Sequence, residues 1–377
     1  MAFDPHREDY QRLGLRFARS LDSDDPRDAA VAFATFGRRF AQNRDSLPQS
    51  DADRAFHLVA DATTLIDYKL PFANDEEAET LISRARTLLG EAISLDERCH
   101  DAVRMQVAAT TASFEGYYDF LRQGAEEVKA SCEERGAEAA KDSAPERAQL
   151  AASIAMAPYL RWMAMLAEKA VICGRNREAL RYANELLELD PADPADVRFT
   201  AALAYAKLED DQGLDAFERR LVPTVHSHSS GNAWSSLARA SLAYRRRDFF
   251  GARKQLRIMV ASYPHAAVAL ARQRELPDGV FSRLCVPPYS EDEIIIAASE
   301  GTVLFQEGRD ALGRGSFGSW VMLESLALAT KEQLVEMSDL VETAATLVGK
   351  DQFNPSGTPG PGNRGQSGGP ETPGGAS

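Results

Sequence analysis

Cysteine is scarce in this sequence of 377 residues, which has only Cys99, Cys132, Cys173 and Cys285. No two of them have the spacing of a CxxC pair, which excludes a zinc knuckle, a redox-active dithiol and a framework of disulfide bonds. A chain without disulfide bonds is typical of a reducing compartment. We therefore predict a cytoplasmic protein.

Long apolar runs are also missing. Residues 1–10 mix acidic and basic side chains and have no apolar core. The most apolar stretch, residues 151–173, is interrupted by Arg161, Glu168 and Lys169. Because a spanning helix needs about 20 consecutive apolar residues, the sequence predicts neither a secretory leader nor a membrane span.

The motifs that commonly carry catalysis are absent as well. The sequence has no P-loop, no GxSxG nucleophile elbow and no HExxH zinc motif. His226 and His228 have a spacing that suits metal chelation, but no third ligand is near them, so we interpret them as part of a polar loop. The glycines of residues 313–318 follow no strand and predict a bent connection between helices. We predict no catalytic site, no metal and no cofactor.

Charge is distributed unevenly along the chain, whose formal net charge is −14. Residues 216–275 carry 11 Lys and Arg against 3 Asp and Glu, whereas the segments on either side are acidic. An acidic surface repels a polyanion, which disfavours extensive contact with nucleic acid. Two interpretations of the basic segment 219–257 stay open. It neutralises acidic helices inside the protein, or it faces a ligand and makes the protein a sensor of a small anion or nucleic acid.

Helix-forming residues dominate the sequence, and no segment alternates apolar and polar residues as a strand does. Helix starts are marked by a side-chain acceptor followed three residues later by Glu or Gln. Two further starts have an aspartate before a proline, Asp25-Pro26 and Asp193-Pro194. We predict an all-α protein. The first kind of start occurs at Asn74–Glu77, Ser143–Glu146, Ser290–Glu293 and Thr330–Gln333.

The clearest structural unit covers Tyr159–Pro191. Apolar residues recur at three- and four-residue steps on both sides of a turn at Gly174–Asn176, and Ala167 and Ala179 let two helices approach closely. This pattern predicts an antiparallel helical hairpin. Shifting the unit by 37 and then by 36 residues gives two columns of alanines, Ala167, Ala204 and Ala240, and Ala179, Ala216 and Ala252.

With these features the chain resembles the tetratricopeptide repeat (TPR) family, whose hairpins of about 34 residues stack into a right-handed superhelix. The small residues, Gly174 in the turn, Leu-Glu-Leu-Asp and Pro191 fall where that family has them. A second likeness, to bacterial relatives of the suppression-of-tumorigenicity proteins, involves residues 179–191, residues 288–293 and Trp320. The resemblance implies a TPR-like solenoid that binds a partner peptide or helix in a concave groove, and it implies no activity.

The repeat register places particular side chains on the inner wall of that groove. Arginine, tryptophan and tyrosine are the residue types expected at an interaction hot spot. The alternative is that the aromatic residues fill gaps between hairpins. The predicted groove residues are Arg161, Glu168, Arg198, Tyr205, Trp234, Ser241, Tyr244 and Arg245.

Composition divides the chain into four parts. Residues 1–142 are predicted to be an amino-terminal array of helical hairpins, and residues 143–275 hold the clear repeats. Residues 276–350 are predicted to be capping helices that cover the last hairpin. Residues 351–377 contain eight glycines and five prolines and predict a disordered tail. The predicted function is a non-catalytic scaffold for a protein or peptide partner, with a sensor acting through residues 219–257 as the alternative.

Overall fold

The computed structural model describes residues 4–21, 25–70, 73–141, 144–221, 231–276, 286–308 and 314–348. These residues form 18 α-helices and no strand, which confirms the predicted all-α fold class. The disorder predicted for residues 351–377 lies outside the described residues, as do Ser143, His226, His228 and Cys285.

The described residues before position 142 form six helices, which surround several small apolar clusters. One cluster joins α3, α4 and α5 through fully buried alanines and leucines such as Ala55 and Leu89. A π-helical segment, Thr64–Lys69, extends α3. The helices are α1 (Pro5–Arg19), α2 (Pro26–Asn43), α3 (Asp51–Thr63), α4 (Asp75–Leu95), α5 (His100–Ala108) and α6 (Phe114–Ala139).

One large core extends from α6 through the centre of the chain to α16. The central helices are α7 (Pro145–Ile172), α8 (Asn176–Leu189), α9 (Val197–Lys207), α10 (Asp211–Arg220), α11 (Ala233–Arg245), α12 (Phe249–Ser262) and α13 (Ala266–Arg272). The last five are α14 (Glu291–Glu300), α15 (Thr302–Phe305), α16 (Ser316–Leu328), α17 (Lys331–Glu336) and α18 (Ser338–Val348).

Most of the predicted helix starts are confirmed. Asn74, Ser290 and Thr330 each accept a hydrogen bond from the backbone amide three residues further on, at 3.0, 3.1 and 3.3 Å. Asp25 accepts one from the first turn of α2, which begins with a proline. These starts are predictable because the donor and the acceptor are both local.

The start of α9 differs from its prediction. The helix begins at Val197 instead of Pro194. Asp193 has a left-handed backbone (φ 51°), and its carboxylate accepts hydrogen bonds from the amides of Val197 (2.8 Å) and Arg198 (3.1 Å). Asp193 therefore caps the helix from four residues ahead of it, and Pro194 lies in the connection.

Three successive helical hairpins, α7–α8, α9–α10 and α11–α12, share one turn geometry. A residue with a left-handed backbone ends each first helix: Gly174 (φ 73°), Glu209 (φ 58°) and Arg247 (φ 62°). The amide of the following residue then bonds to a carbonyl five residues back, at 2.7 to 3.0 Å. This hydrogen bond is typical of the Schellman motif, which provides partners for the last carbonyl groups of a helix. The three turns are 35 and 38 residues apart.

These spacings correct the predicted register. The predicted steps were 37 and 36 residues, so the total was right but the middle hairpin was placed two residues too late. Ala216, predicted to be equivalent to the buried Ala179 and Ala252, is exposed, and Leu214 is buried in its place. The error arose because a repeat of unequal steps shows no single period in the sequence.

Helices near the carboxyl terminus pack on the hairpins. α14 contacts α11 and α13, α15 contacts α9, and α16 contacts α12 and α13. Ile294 of α14 and Phe305 of α15 are fully buried in the large core. The side of α9 and α11 that faces these helices is therefore covered by the chain itself.

The predicted boundary at residue 142 lies between α6 and α7, which pack against each other. The indole Nε1 of Trp162 donates to the carbonyl oxygen of Leu121 across this contact (2.8 Å). Within the part of the chain that the structure describes, α7 is the one helix long and apolar enough to cross a membrane by length and composition. Half of its most apolar window is buried inside the fold, which is typical of a core helix.

Candidate functional site

The eight predicted groove residues form two groups in the structure. Tyr244 and Arg245 lie at the end of α11, with partly exposed side chains. The other six have exposed fractions of 11% or less and are Arg161, Glu168, Arg198, Tyr205, Trp234 and Ser241.

Arg161 joins α7 to two amino-terminal helices. Its guanidinium donates to both carboxylate oxygens of Asp101 (2.8 and 2.5 Å) and to Glu8 (2.8 Å). Burial opposes the charge of Arg161, but attraction to Asp101 and Glu8 outweighs it and raises the pKa of Arg161. This arginine therefore acts as an internal link in the structure.

Arg198 and Trp234 also make internal contacts. Arg198 pairs with Asp193 (3.3 Å) and Asp196 (2.6 Å), next to the start of its own helix. The Trp234 ring stacks on Phe199 with centroids 3.9 Å apart, and its Nε1 donates to Glu300 of α14 (2.6 Å). The covering helix α14 is thus hydrogen-bonded to a side chain that was predicted to face a partner.

The remaining three predicted groove residues are buried as well. Glu168 and Ser241 are 2% and 0% exposed, and the Tyr205 ring packs against Phe217 of α10 (centroids 5.5 Å apart). These contacts agree with the alternative that aromatic residues fill gaps between hairpins. A role of Glu168, Tyr205 and Ser241 in partner binding stays a prediction.

Tyr244 belongs to a group of aromatic rings at the surface. Its ring lies 5.6 Å from Phe249 and 5.2 Å from Trp320. Phe249 and Phe250 are 42% and 78% exposed, and Trp320 is partly exposed. We call Tyr244, Phe249, Phe250 and Trp320 the aromatic patch.

Local structure fixes the position of the patch. The left-handed turn at Arg247 ends α11 just after Tyr244, and Asp248 caps α12 by accepting a hydrogen bond from the amide of Gly251 (2.9 Å). Both phenylalanines therefore lie in the first turn of α12. The Tyr244 hydroxyl donates to the carbonyl of Ser316 (3.3 Å), which holds the start of α16 beside them.

Ion pairs surround the patch. Arg253, one turn after Phe249, makes two hydrogen bonds to Glu324 (2.8 and 2.6 Å), which lies one turn after Trp320. Arg245 pairs with Glu209 (2.8 Å) and with Glu307. The patch thus has an apolar centre and a rim that carries positive and negative side chains.

The same ion pairs bear on the basic segment. Arg239 pairs with Asp215 (2.7 Å) and Glu218 (2.5 Å), and Arg246 pairs with Asp211. Together with the pairs of Arg245 and Arg253, these contacts support the interpretation that the segment neutralises acidic helices of the protein itself. The pairs engage four of the nine Lys and Arg residues of segment 219–257, which lowers the positive charge that the segment presents to a polyanion.

Sequence reasoning found only part of the patch. Tyr244 and Arg245 were predicted from the register, whereas Phe249 and Phe250 were not singled out. Two adjacent aromatic residues at a helix start were the available signal, because neighbouring positions point about 100° apart on a helix and rarely face the same core. The third helix involved, α16, begins more than 60 residues later, and no local pattern predicts that it packs beside α12.

The described residues hold no group of three or more His, Cys, Asp or Glu side chains arranged to bind a metal ion. The patch itself offers aromatic rings, a phenol and an indole, which bind by contact and hydrogen bonding. Comparisons with protein-family models, curated proteins and solved structures found no significant match to this chain. The proposals that follow therefore rest on the geometry of the chain.

Proposed function

We propose that this protein is a non-catalytic interaction scaffold, built as a TPR-like array of helical hairpins, that binds a partner peptide or helix through the aromatic patch. The observation that carries the proposal is the exposure of Phe249 and Phe250 beside Tyr244 and Trp320. Tyr244, Phe249 and Trp320 pack on one another, and the neighbouring Phe250 adds exposed apolar area that a partner can cover.

The chemistry of the patch suggests what it binds. Tryptophan, tyrosine and arginine dominate the residues whose loss weakens protein interfaces most, and a polar rim excludes water from such a centre. The rim here carries both Arg245 and Arg253 and their carboxylate partners. We expect a partner segment with apolar side chains at its centre, as an amphipathic helix has.

Internal contacts of the buried groove residues favour this surface over the wall of α9 and α11. Trp234 and Arg198 are held by Glu300, Asp193 and Asp196, so a partner there would have to displace α14 from the core. No observation favours the sensor that was considered for residues 219–257. A cytoplasmic location is part of the proposal.

The test compares two equally exposed apolar residues. Phe250 in the patch and Val335 on α17 are both 78% exposed, so Phe250→Ser and Val335→Ser each replace a mostly exposed apolar side chain with little effect on folding. Tagged parent and variants are used to capture proteins from the native cell, and captured proteins are then titrated in purified form. We expect a partner whose affinity falls about tenfold or more with Phe250→Ser and stays unchanged with Val335→Ser.

Two results would overturn the proposal. Equal affinity of the parent and Phe250→Ser for every captured protein would show that the patch does not take part in binding. A parent that is dimeric in sedimentation, together with a monomeric Phe250→Ser variant, would mean that the patch binds a second copy of the chain.

A further inference from the structure

A second surface feature lies in the amino-terminal half of the molecule, away from the aromatic patch. It is a cleft of about 480 Å³ bordered by α1, the start of α3, the turn between α4 and α5, α6 and α7. This volume lies within the range of small-molecule sites, about 300 to 1,000 Å³. Its arginine, histidine and carboxylate lining residues are Arg12, Arg16, Arg19, Arg98, Arg135, His100, Asp53, Asp96 and Glu138.

The lining is rich in arginine in a chain of net charge −14. Five arginines and three carboxylates line the cleft. Arg12, Arg16 and Arg19 follow one another at four- and three-residue steps, so they form a row along one face of α1. Arg98 and Arg135 lie on other elements around the same cleft. Arg12 is ion-paired with Glu8, Arg16 with Asp53, Arg98 with Glu134 and Arg135 with Asp96, so the cleft presents guanidinium groups and carboxylates side by side.

The arginines keep hydrogen-bonding capacity. The Arg16 guanidinium uses Nε to bond Asp53 (2.7 Å) and is 44% exposed, and Arg98 uses one terminal nitrogen to bond Glu134 (2.9 Å) and is 52% exposed. A guanidinium has five N–H donors, and its planar fork matches the oxygens of a phosphate or carboxylate. Both side chains therefore retain donors for an anion.

Two further features suit an anionic ligand with a carbon body. Helix α5 begins at the cleft, so the positive end of its dipole lies there, partly offset by Asp101 in its first turn. On the opposite side, Leu15, Ala151 and Ile154 form an apolar cluster beneath the cleft, with Pro158 beside them. An apolar or ring-shaped part of a ligand is complementary to that side.

We propose that this cleft binds a small organic phosphate, with the phosphate held by Arg16, Arg98 and their neighbours and the carbon body lying against Leu15 and Ile154. A phosphate monoester carries close to two negative charges at neutral pH and three acceptor oxygens, so it can engage several guanidinium groups at once. The acidity of the remaining chain disfavours a nucleic acid in the same place. The inference is independent of the scaffold function proposed above.

Calorimetric titration with adenosine 5′-monophosphate, inorganic pyrophosphate and unphosphorylated adenosine tests the proposal. We expect saturable binding of the monophosphate and of pyrophosphate by the full chain, and none of adenosine. The variant Arg16→Gln/Arg98→Gln is expected to bind the monophosphate at least about tenfold more weakly, since hydrogen bonds to charged groups are lost. Arg122→Gln is the control, because Arg122 is 50% exposed, pairs with Asp119 and does not line the cleft.

Thermal unfolding of each variant verifies its fold, and the single variant Arg98→Gln serves if the double variant is unstable. The proposal is overturned if the parent binds neither phosphate compound at up to about 10 mM, a concentration at which even weak complexes form. Equal affinity of the parent and both cleft variants would also overturn it. Binding of pyrophosphate but not of the monophosphate would overturn the proposal that the ligand has a carbon body, because the apolar side of the cleft would then have no role.

Discussion

At the scale of single residues, buried charge is the feature that most constrains this protein. Asp101 and Glu8 are 3% and 7% exposed, and both pair with Arg161. Two charges inside a protein attract strongly but lose their hydration, so such a pair contributes little net stability while the removal of one partner is costly. Arg161 therefore fixes the relative positions of α1, α5 and α7, although its ion pairs contribute little to the net free energy of unfolding.

Replacement of Arg161 by methionine tests this role. The variant leaves Asp101 buried without its main donor and removes one donor from Glu8, which keeps its bonds from Arg12, so we expect the free energy of unfolding to fall by about 3 to 5 kcal/mol. Urea unfolding followed by circular dichroism measures the change. Arg122→Met is the matched control, because its pair with Asp119 is half exposed and is expected to contribute less than about 1 kcal/mol. Similar losses in both variants would contradict the link assigned to Arg161.

At the scale of helices, close packing depends on a small residue in α6. A side chain added at Gly124 would lie 2.9 Å from Trp162 of α7, closer than real side-chain contacts. The same indole donates its hydrogen bond to Leu121, one turn earlier on α6. The absence of a side chain at Gly124 therefore lets α6 and α7 approach and positions Trp162.

Two glycine substitutions separate packing from helix propensity. Alanine is favoured over glycine inside a helix by about 0.8 to 1 kcal/mol. Gly90 of α4 has no neighbouring atom within 4 Å of an added Cβ, so Gly90→Ala is expected to stabilise the protein by up to that amount. Gly124→Ala is expected to destabilise it by about 1 to 3 kcal/mol because Trp162 must shift. Thermal and urea unfolding measure both, and stabilisation by Gly124→Ala would contradict the packing argument.

At the scale of the whole molecule, buried carboxylates couple the fold to pH. Burial opposes ionisation of Asp101, but the charge and hydrogen bonds of Arg161, with Arg104 and Arg12, outweigh it and lower the pKa of Asp101 to about 2. Burial of Asp9 is likewise outweighed by hydrogen bonds from His57 and Arg44, which lower the pKa of Asp9. Both carboxylates hold their charge in the folded state at pH values where the unfolded chain takes up protons.

We therefore expect acid to destabilise the protein in a defined range. The contribution of Asp101 is complete above the unfolded pKa of about 3.9 and is lost as the pH falls towards 2, with a total of about 2 kcal/mol. Urea unfolding at a series of pH values between 7 and 2 measures this loss. Asp101→Asn should be less stable at pH 7 and show a shallower dependence below pH 4. If the free energy of unfolding depends on pH with the same slope in the parent and in Asp101→Asn, Asp101 is not the source of the acid destabilisation.

The sequence by itself determined the helices and the three central hairpins. Caps such as Asn74, Ser290 and Thr330 and the turn at Gly174 are recognisable because each involves residues within a few positions of one another. Of the patch, the register predicted only Tyr244, together with Arg245 on its rim. The predicted position of the middle hairpin was wrong by two residues, because connections of unequal length obscure the period of the repeat.

Only the tertiary structure decided which helix faces are covered. Arg161 bonds to Glu8 and Asp101, which are 153 and 60 residues away in the sequence, and Trp234 bonds to Glu300, 66 residues away. A helical register states which residues share a face, but it does not state which distant helix packs on that face. The choice depends on burial and charge pairing summed over the whole chain. For that reason the local pattern predicted the residues of the groove wall but not the helices that cover them.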